Sequence, residues 1–295
     1  MSGGSELASD ALERAAPSKG MSERTVLITG ATAGIGLATA HELAASGAQV
    51  VIAGRSPDRT RAAVDAVRRA SGNERVHSIV VDLACLASVR DGAEAFRSLE
   101  LPLHVLVANA GVAGLRGVTT DGWELAFGTN HLGHFLFTML LLPQLRASAP
   151  SRVVVVSSDS HFQARRIDWH GLHRPTRSFT GLAEYAVSKL CNVLFAQELA
   201  RREAGTGVTA CSLHPGVVAS DIWKRVPRLV RPLALRFMVS PELGARTSVH
   251  CVTEPAVAAR SGAYYRNAAV AEPSSAATPA LAGELWEHSE AWVAE

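Results

Sequence analysis

Thr25-Val26-Leu27-Ile28-Thr29-Gly30-Ala31-Thr32-Ala33-Gly34-Ile35-Gly36 decides the fold. Its first five residues are apolar and β-branched, as a buried strand requires. The run ends in a glycine-rich turn, after which Leu37 to Ser46 reads as a helix. A strand, a tight turn and a helix N-terminus in succession make a phosphate site. The glycines let the backbone approach an anion, and the helix end offers unpaired N–H groups and a favourable dipole.

Outward from this unit, apolar runs alternate with helical patterns as far as about Leu213. Gln49–Ala53, Val76–Val81, Val105–Ala108, Ser151–Ser158 and Val208–Leu213 read as strands. The pattern predicts repeated βαβ units, a parallel sheet and right-handed crossovers. Asp121 to Leu142 reads as a long helix interrupted by Gly128-Thr129-Asn130-His131-Leu132-Gly133. Beyond Leu213, a helix near Glu242 to Val252, a closing strand at Gly262–Tyr265, a Glu272–Thr278 loop and a Leu281–Val293 helix complete the chain.

With 295 residues and 47% hydrophobic side chains, the chain is long enough for one large domain with a substantial core. Its 29 basic and 27 acidic side chains leave +2, which gives no reason to expect a nucleic-acid partner. Cys85, Cys191, Cys211 and Cys251 are far apart with no zinc-site spacing, as in a reduced cytoplasmic protein. No run of 18 apolar residues suggests a membrane-spanning helix. Residues 1–22, rich in Ser, Gly, Ala and Glu, lack the pattern of a signal peptide and read as a flexible arm.

Tyr185-Ala186-Val187-Ser188-Lys189 sets a phenol and an ammonium four residues apart in a helical segment, on one face. A phenol exchanges protons poorly at neutral pH unless a nearby positive charge stabilises its anion, and Lys189 is placed to supply one. An amphipathic helix with a buried Tyr and a solvated Lys has the same spacing. His131 and His134, three apart with no third ligand, read as packing residues, and no metal site is expected.

Taken together, the glycine turn, Asn109-Ala110-Gly111, Ser158 and the Tyr185 to Lys189 segment resemble the short-chain dehydrogenase/reductase family over about residues 24–270. Asn130-His131-Leu132-Gly133-His134 and Ser188-Lys189-Leu190-Cys191-Asn192 are most similar to its retinol-dehydrogenase-like branch and related bacterial reductases. The resemblance implies an α/β fold, a single doubly wound Rossmann-type domain over 23–295 with a mostly seven-stranded parallel sheet. It places a substrate lid at about 217–240.

The resemblance implies a catalytic set of Asn130, Ser158, Tyr185 and Lys189. Ser158 would polarise a carbonyl and Tyr185 would donate or remove the proton. Lys189 would lower the tyrosine pKa and hold the nicotinamide ribose, and Asn130 would complete a water-linked proton path. Ser157 and Ser160 flank Ser158, which is preferred as the second Ser of the pair ending the strand. For the dinucleotide the resemblance implies Gly30, Thr32, Ala33, Gly34, Ile35, Gly36, Asp82, Leu83, Asn109, Ala110 and Gly111. Tyr185, Lys189, Pro215, Gly216, Val218 and Ser220 complete that set. Asp82 serves equally as a cap for the helix beginning near Ala84. Gly54 stands where NAD-preferring relatives carry Asp, and Arg55 follows, so NADP(H) is favoured over NAD(H).

Asp221 to Ser240 mixes apolar residues with five cations, as a lid, a plain surface helix or a membrane-touching piece would. His161 to Thr180, between Ser158 and Tyr185, is expected to wall the pocket. Aromatic and apolar residues in both segments suggest a lipophilic or cyclic carbonyl or alcohol substrate. The resemblance implies a homo-dimer or homo-tetramer. The expected activity is NADP(H)-dependent interconversion of a carbonyl and an alcohol. The alternatives are another reaction on the same site (C=C reduction, epimerisation, dehydration) or NADP(H) binding without turnover.

Overall fold

The computed structural model describes residues 20–216 and 240–294. Eight strands form one sheet: β1 (Thr25–Thr29), β2 (Gln49–Gly54), β3 (Val76–Val80), β4 (Val105–Ala108), β5 (Ser151–Val156), β6 (Val208–His214), β7 (Tyr264–Arg266) and β8 (Ala269–Ala271). Their order is β3-β2-β1-β4-β5-β6-β7-β8. The first seven are parallel, as expected, and the eighth adds an antiparallel edge. Its turn uses Asn267 and Ala268 at φ 52° and 57°, the left-handed pair a tight hairpin needs. Without an Asn-Gly or Asp-Gly pair, the sequence carried no strong signal for it.

Among the described residues seven helices cover the sheet: α1 (Gly34–Ala45), α2 (Pro57–Ser71), α3 (Leu86–Arg97), α4 (Leu125–Ala147), α5 (Leu182–Arg202), α6 (Pro241–Thr253) and α7 (Pro279–Ala294). Alternate strand residues face opposite layers. Leu27 and Val51 join a cluster with Phe96, Phe135 and Phe195, whereas Val26, Ile28, Val50 and Ile52 join one with Leu43, Val67 and Cys251. Burial on both faces accounts for the unbroken apolar runs.

α4 begins at Leu125 and ends at Ala147, later at both ends than its sequence pattern suggests. It continues through Pro143, with Leu145 buried beyond it. This helix is long and apolar enough to cross a membrane, with a mean hydropathy of 1.3, but 83% of that window is buried in the fold. At the amino end, Met21–Glu23 form a single 3-10 turn with Met21 buried.

The chain leaves β1 in one direction and β4 in the other, so the sheet order reverses between these adjacent strands. Open α/β sheets bind ligands in the crevice beyond the strand ends at such a point. Gly30 and Asn109 follow directly after these two strands.

Candidate active site

Side-chain bonds lock the two strand ends at the switch point together. Asn109 Nδ2 donates to the main-chain oxygen of Thr29 at 2.8 Å. Thr29 Oγ1 accepts from the amides of Asn109 (2.9 Å) and Ala110 (3.0 Å). Gly30 takes φ +68°, and an added Cβ would lie 2.8 Å from Ala110 Cα. At Gly36, the first turn of α1, a Cβ would come 2.5 Å from Asn109 Nδ2 and 2.7 Å from the oxygen of Gly30. Only glycine fits at either point. Helix α1 therefore starts directly against the strand ends, with Thr32, Ala33, Gly34 and Ile35 between them and accessible to solvent.

Asn130 sits in the interruption of α4. Gly128–Leu132 is one wider π-type turn, closed by Gly133 N–H bonding to the oxygen of Gly128. Glycines at its ends permit close packing, since a Cβ would meet Thr119 Cγ2 at 2.4 Å from Gly128 and the oxygen of Leu83 at 2.4 Å from Gly133. The Asn130 amide is completely buried and fully used. Oδ1 accepts from Val112 N at 2.7 Å, while Nδ2 donates to Val112 O and to Ser188 Oγ, both at 2.9 Å. Ser188 Oγ in turn donates to the main-chain oxygen of Tyr185 at 2.8 Å, which ties Asn130 to the tyrosine's helical turn.

Tyr185 and Lys189 share one face of α5, with Lys189 Nζ 5.6 Å from the phenol ring centroid. Nζ is buried and donates to Val156 O at 2.9 Å, an oxygen that Asn192 Nδ2 also reaches at 3.1 Å. Burial brings the lysine pKa down to about 8. Burial also raises the Tyr185 pKa above its ordinary value, and the adjacent Ser158 hydroxyl opposes the rise only in part. Of these two effects on the phenol, desolvation is the larger. Gly111 borders both Asn130 and Lys189, because a Cβ there would lie 3.1 Å from Asn130 Oδ1 and 3.5 Å from Lys189 Nζ.

Among the three serines, the hydrogen bonds separate the roles. Ser157 is buried and its hydroxyl donates to Lys189 O at 2.7 Å, so it is spent on packing β5 to α5. Ser158 is partly exposed beside Tyr185, with its Oγ accepting from Ser160 N and donating to Ser160 Oγ, both at 3.2 Å.

The remaining candidates surround this centre. Arg55 is exposed after β2. At Gly54 a Cβ would meet Thr60 Oγ1 at 2.6 Å and Thr32 Cγ2 at 2.7 Å, so an acid there would require both threonines to shift. Asp82 Oδ1 accepts from Ala84 N at 3.0 Å in a turn ahead of α3, whose N-cap is Cys85 with no side-chain cap, so Asp82 does not cap that helix; Leu83 is buried. Pro215 and Gly216 follow β6 and are partly exposed. Val218, Ser220 and the lid lie outside the described residues, apart from Ser240, which caps α6.

Two functional features escaped sequence reasoning. His134 and His161, both buried, bond to the nearby main-chain oxygens of Asn130 (2.9 Å) and Ser158 (2.7 Å) and, through their other ring nitrogens, to Thr29 and Ser274, far away in sequence. In the loop following Ser158, Trp169 and His173 pack against other aromatics of the fold. Trp169 lies 4.5 Å from His288 and 6.3 Å from Trp292, and His173 lies 4.1 Å from Trp123 and 5.3 Å from Trp292, measured between ring centroids.

A family model described as short chain dehydrogenase matches residues 24–169. The chain is 45% identical to dehydrogenase/reductase SDR family member 13 of Bos taurus, over 94% of this chain and 76% of that protein. It is 42% identical to retinol dehydrogenase 11 of Homo sapiens, over 90% and 84% respectively. The crystal structure of an uncharacterized protein from Mycobacterium paratuberculosis superposes with a TM-score of 0.73 at 32% identity, covering 92% of this chain and 94% of that one. With the two curated relatives aligned over 90% or more of its length at 42% identity or more, the chain belongs to the short-chain dehydrogenase/reductase family.

Proposed function

We propose that the chain is an NADP(H)-dependent oxidoreductase that interconverts a carbonyl and an alcohol. The observation that carries this reading is the pairing of the Ser158 and Tyr185 hydroxyls beyond β5, with the Lys189 ammonium buried behind them on the tyrosine's helix. The crevice fits a dinucleotide, since Gly30, Gly34 and Gly36 let the backbone at the start of α1 approach a pyrophosphate. The crowding at Gly54 disfavours the carboxylate that would repel a ribose 2′-phosphate, and Arg55 beside it has the charge to attract one.

When bound, the nicotinamide supplies or accepts the hydride. In reduction, Tyr185 Oη gives its proton to the oxygen of the substrate carbonyl as negative charge develops there. Ser158 Oγ donates a hydrogen bond to the same oxygen, which polarises it. Lys189 stabilises the phenolate left behind, and Asn130 fixes Val112 against the Tyr185 helix through Ser188. Oxidation runs these proton movements in reverse. A phenol kept protonated by burial suits the reductive direction at neutral pH.

A lipophilic substrate is supported by Phe162 and Phe179, 46% and 89% exposed on the loop between Ser158 and Tyr185, and by the likeness to a retinol dehydrogenase. Trp169 and His173 no longer contribute to that inference, being packed against α7. Pairing of subunits through α4 and α5, the mode the resemblance implies, would meet α7, which can block that face, since Trp286 lies 5.0 Å from Phe135 and 5.9 Å from Phe195.

Titration with NADPH and NADH, followed by a panel of retinal-like, steroid and polycyclic carbonyls, tests the reading. Selective NADPH binding with turnover that Tyr185→Phe abolishes is the expected result. Binding without turnover of any carbonyl or alcohol would favour a non-catalytic binder, and binding of neither dinucleotide would overturn the proposal.

A further inference from the structure

Ser158 lies in extended backbone (φ −163°, ψ 151°) at the point where the chain leaves β5 and turns into the short helix Asp159–Gln163. A serine at such a bend keeps its hydroxyl in place only if the peptide after it is held. Its carbonyl oxygen accepts twice from His161, from the main-chain N–H at 3.0 Å and from ring Nδ1 at 2.7 Å.

The protonation of that ring is determined by its other contact. His161 Nε2 accepts from the main-chain N–H of Ser274 at 2.9 Å. An amide nitrogen only donates, so Nε2 has no proton and Nδ1 has one. The ring is completely buried, with Tyr264 edge-on at 4.9 Å and Phe162 at 4.1 Å between centroids, and burial keeps it neutral. Next to Ser158, Asp159 Oδ1 accepts from Tyr264 Oη at 2.9 Å, which anchors the same turn to β7. Ser274 belongs to the segment that leads into α7. One imidazole thus joins the carboxyl-terminal segment to the serine beside Tyr185.

We propose that His161 is a positioning residue. It donates through Nδ1 to the Ser158 carbonyl and holds the Ser158 hydroxyl where Tyr185 needs it, with Ser274 setting the tautomer that makes Nδ1 the donor. The proposal rests on the reading of Ser158 and Tyr185 as the catalytic pair.

Two variants divide the imidazole into its halves. His161→Asn keeps an N–H near the Nδ1 position and gives up Ser274, whereas His161→Gln keeps an acceptor near the Nε2 position and gives up Ser158. Each loses one buried hydrogen bond, so both are expected to lower Tm by about 2–4 °C. Turnover is expected to separate them. His161→Gln should lose about ten-fold or more in kcat with KM little changed, and His161→Asn should stay within about three-fold of the parent, because small displacements of a positioned group are costly. Wild-type kcat in His161→Gln, or equal kcat losses in both variants, would overturn the proposal. Crystal structures of the two variants decide the matter without turnover. Displacement of Ser158 in His161→Gln alone supports the brace even if the parent proves inactive, and an unmoved Ser158 in that variant refutes it.

Discussion

Thr29 and His134 are joined by a 2.8 Å hydrogen bond between Oγ1 and Nε2 that fixes the protonation of both. The threonine hydroxyl already accepts two amides, from Asn109 and Ala110, and gives its own proton to His134 at 2.8 Å rather than to the more distant Val107 O at 3.4 Å. The ring then has its proton on Nδ1, which donates to Asn130 O. The glycine-turn strand, the β4 end and the π-type turn of Asn130 are thereby linked through one neutral imidazole.

That linkage predicts a stability profile with pH. Burial, with a smaller contribution from the Lys189 charge, lowers the His134 pKa to about 4. Burial, with a smaller contribution from His134, lowers that of His131 to about 3. An unfolded chain binds more protons than the folded one between these values and the ordinary histidine value of 6.5. The stabilisation is therefore complete above pH 6.5 and declines as pH falls through the window, by at most about 1.4 kcal/mol per pH unit for each ring. Urea unfolding at a series of pH values should show the decline, and His134→Asn should make it shallower. An unchanged slope in that variant would contradict the assigned neutral state.

Lys189 makes a second prediction, because function and stability pull in opposite directions there. Its pKa of about 8 against an ordinary 10.5 means that, below pH 8, a buried charge costs roughly 3 kcal/mol in the substrate-free protein. Lys189→Met removes the charge, while Val156 O keeps its bond from Asn192. The variant is expected to unfold at higher urea than the parent at pH 7 and to have no turnover. Since the cost is relieved as pH rises from about 8 to 10.5, the gain should shrink in alkaline buffer. A variant less stable than the parent at neutral pH would show that the ammonium is better compensated than its single bond to Val156 indicates.

Arg55→Ala separates the two dinucleotides. If the guanidinium meets a 2′-phosphate, its removal should weaken NADPH by about ten- to a hundred-fold, the range of a charged hydrogen bond, and leave NADH within about two-fold. Fluorescence titration of both reads the difference, and equal losses would refute the phosphate role. Gly54→Asp is not expected to convert the preference to NADH, since its Cβ meets Thr60 and Thr32 at 2.6 and 2.7 Å. Lower stability is the expected outcome there.

The parts legible in sequence were those whose physical reason is local. The Gly30 to Gly36 turn, the two-sided strands and the Tyr185/Lys189 spacing each depend on residues a few positions apart. The break in α4 at Gly128–Gly133 was visible for the same reason. What sequence concealed was the destination of long-range bonds. His134 meets Thr29 across 105 positions and Ser274 meets His161 across 113, so neither pattern announces a brace. Trp169 shows the same limit. Its aromatic character suited a pocket wall, but its partner is α7, which only the fold brings near.

α7 supplies the last prediction. Trp286, 4% exposed, stacks near Phe195, meets Phe135 edge-on and lies 4.6 Å below the Arg202 guanidinium. Trp286→Ala should cost roughly 3–5 kcal/mol, the usual range for deleting a large buried aromatic, because the rigid faces of α4 and α5 cannot collapse into the space. Trp286→Phe keeps a ring between the two phenylalanines and should recover most of the loss. The glycine turn packs against Ala110 and Asn109 rather than against Trp286, so NADPH affinity is expected to stay near that of the parent in both variants under conditions where they remain folded. Urea unfolding together with NADPH titration separates the two effects. A loss below about 1 kcal/mol in Trp286→Ala would mean that α7 contributes little to the fold, whereas a loss of affinity in Trp286→Phe would reveal a coupling between the carboxyl-terminal helix and the dinucleotide crevice.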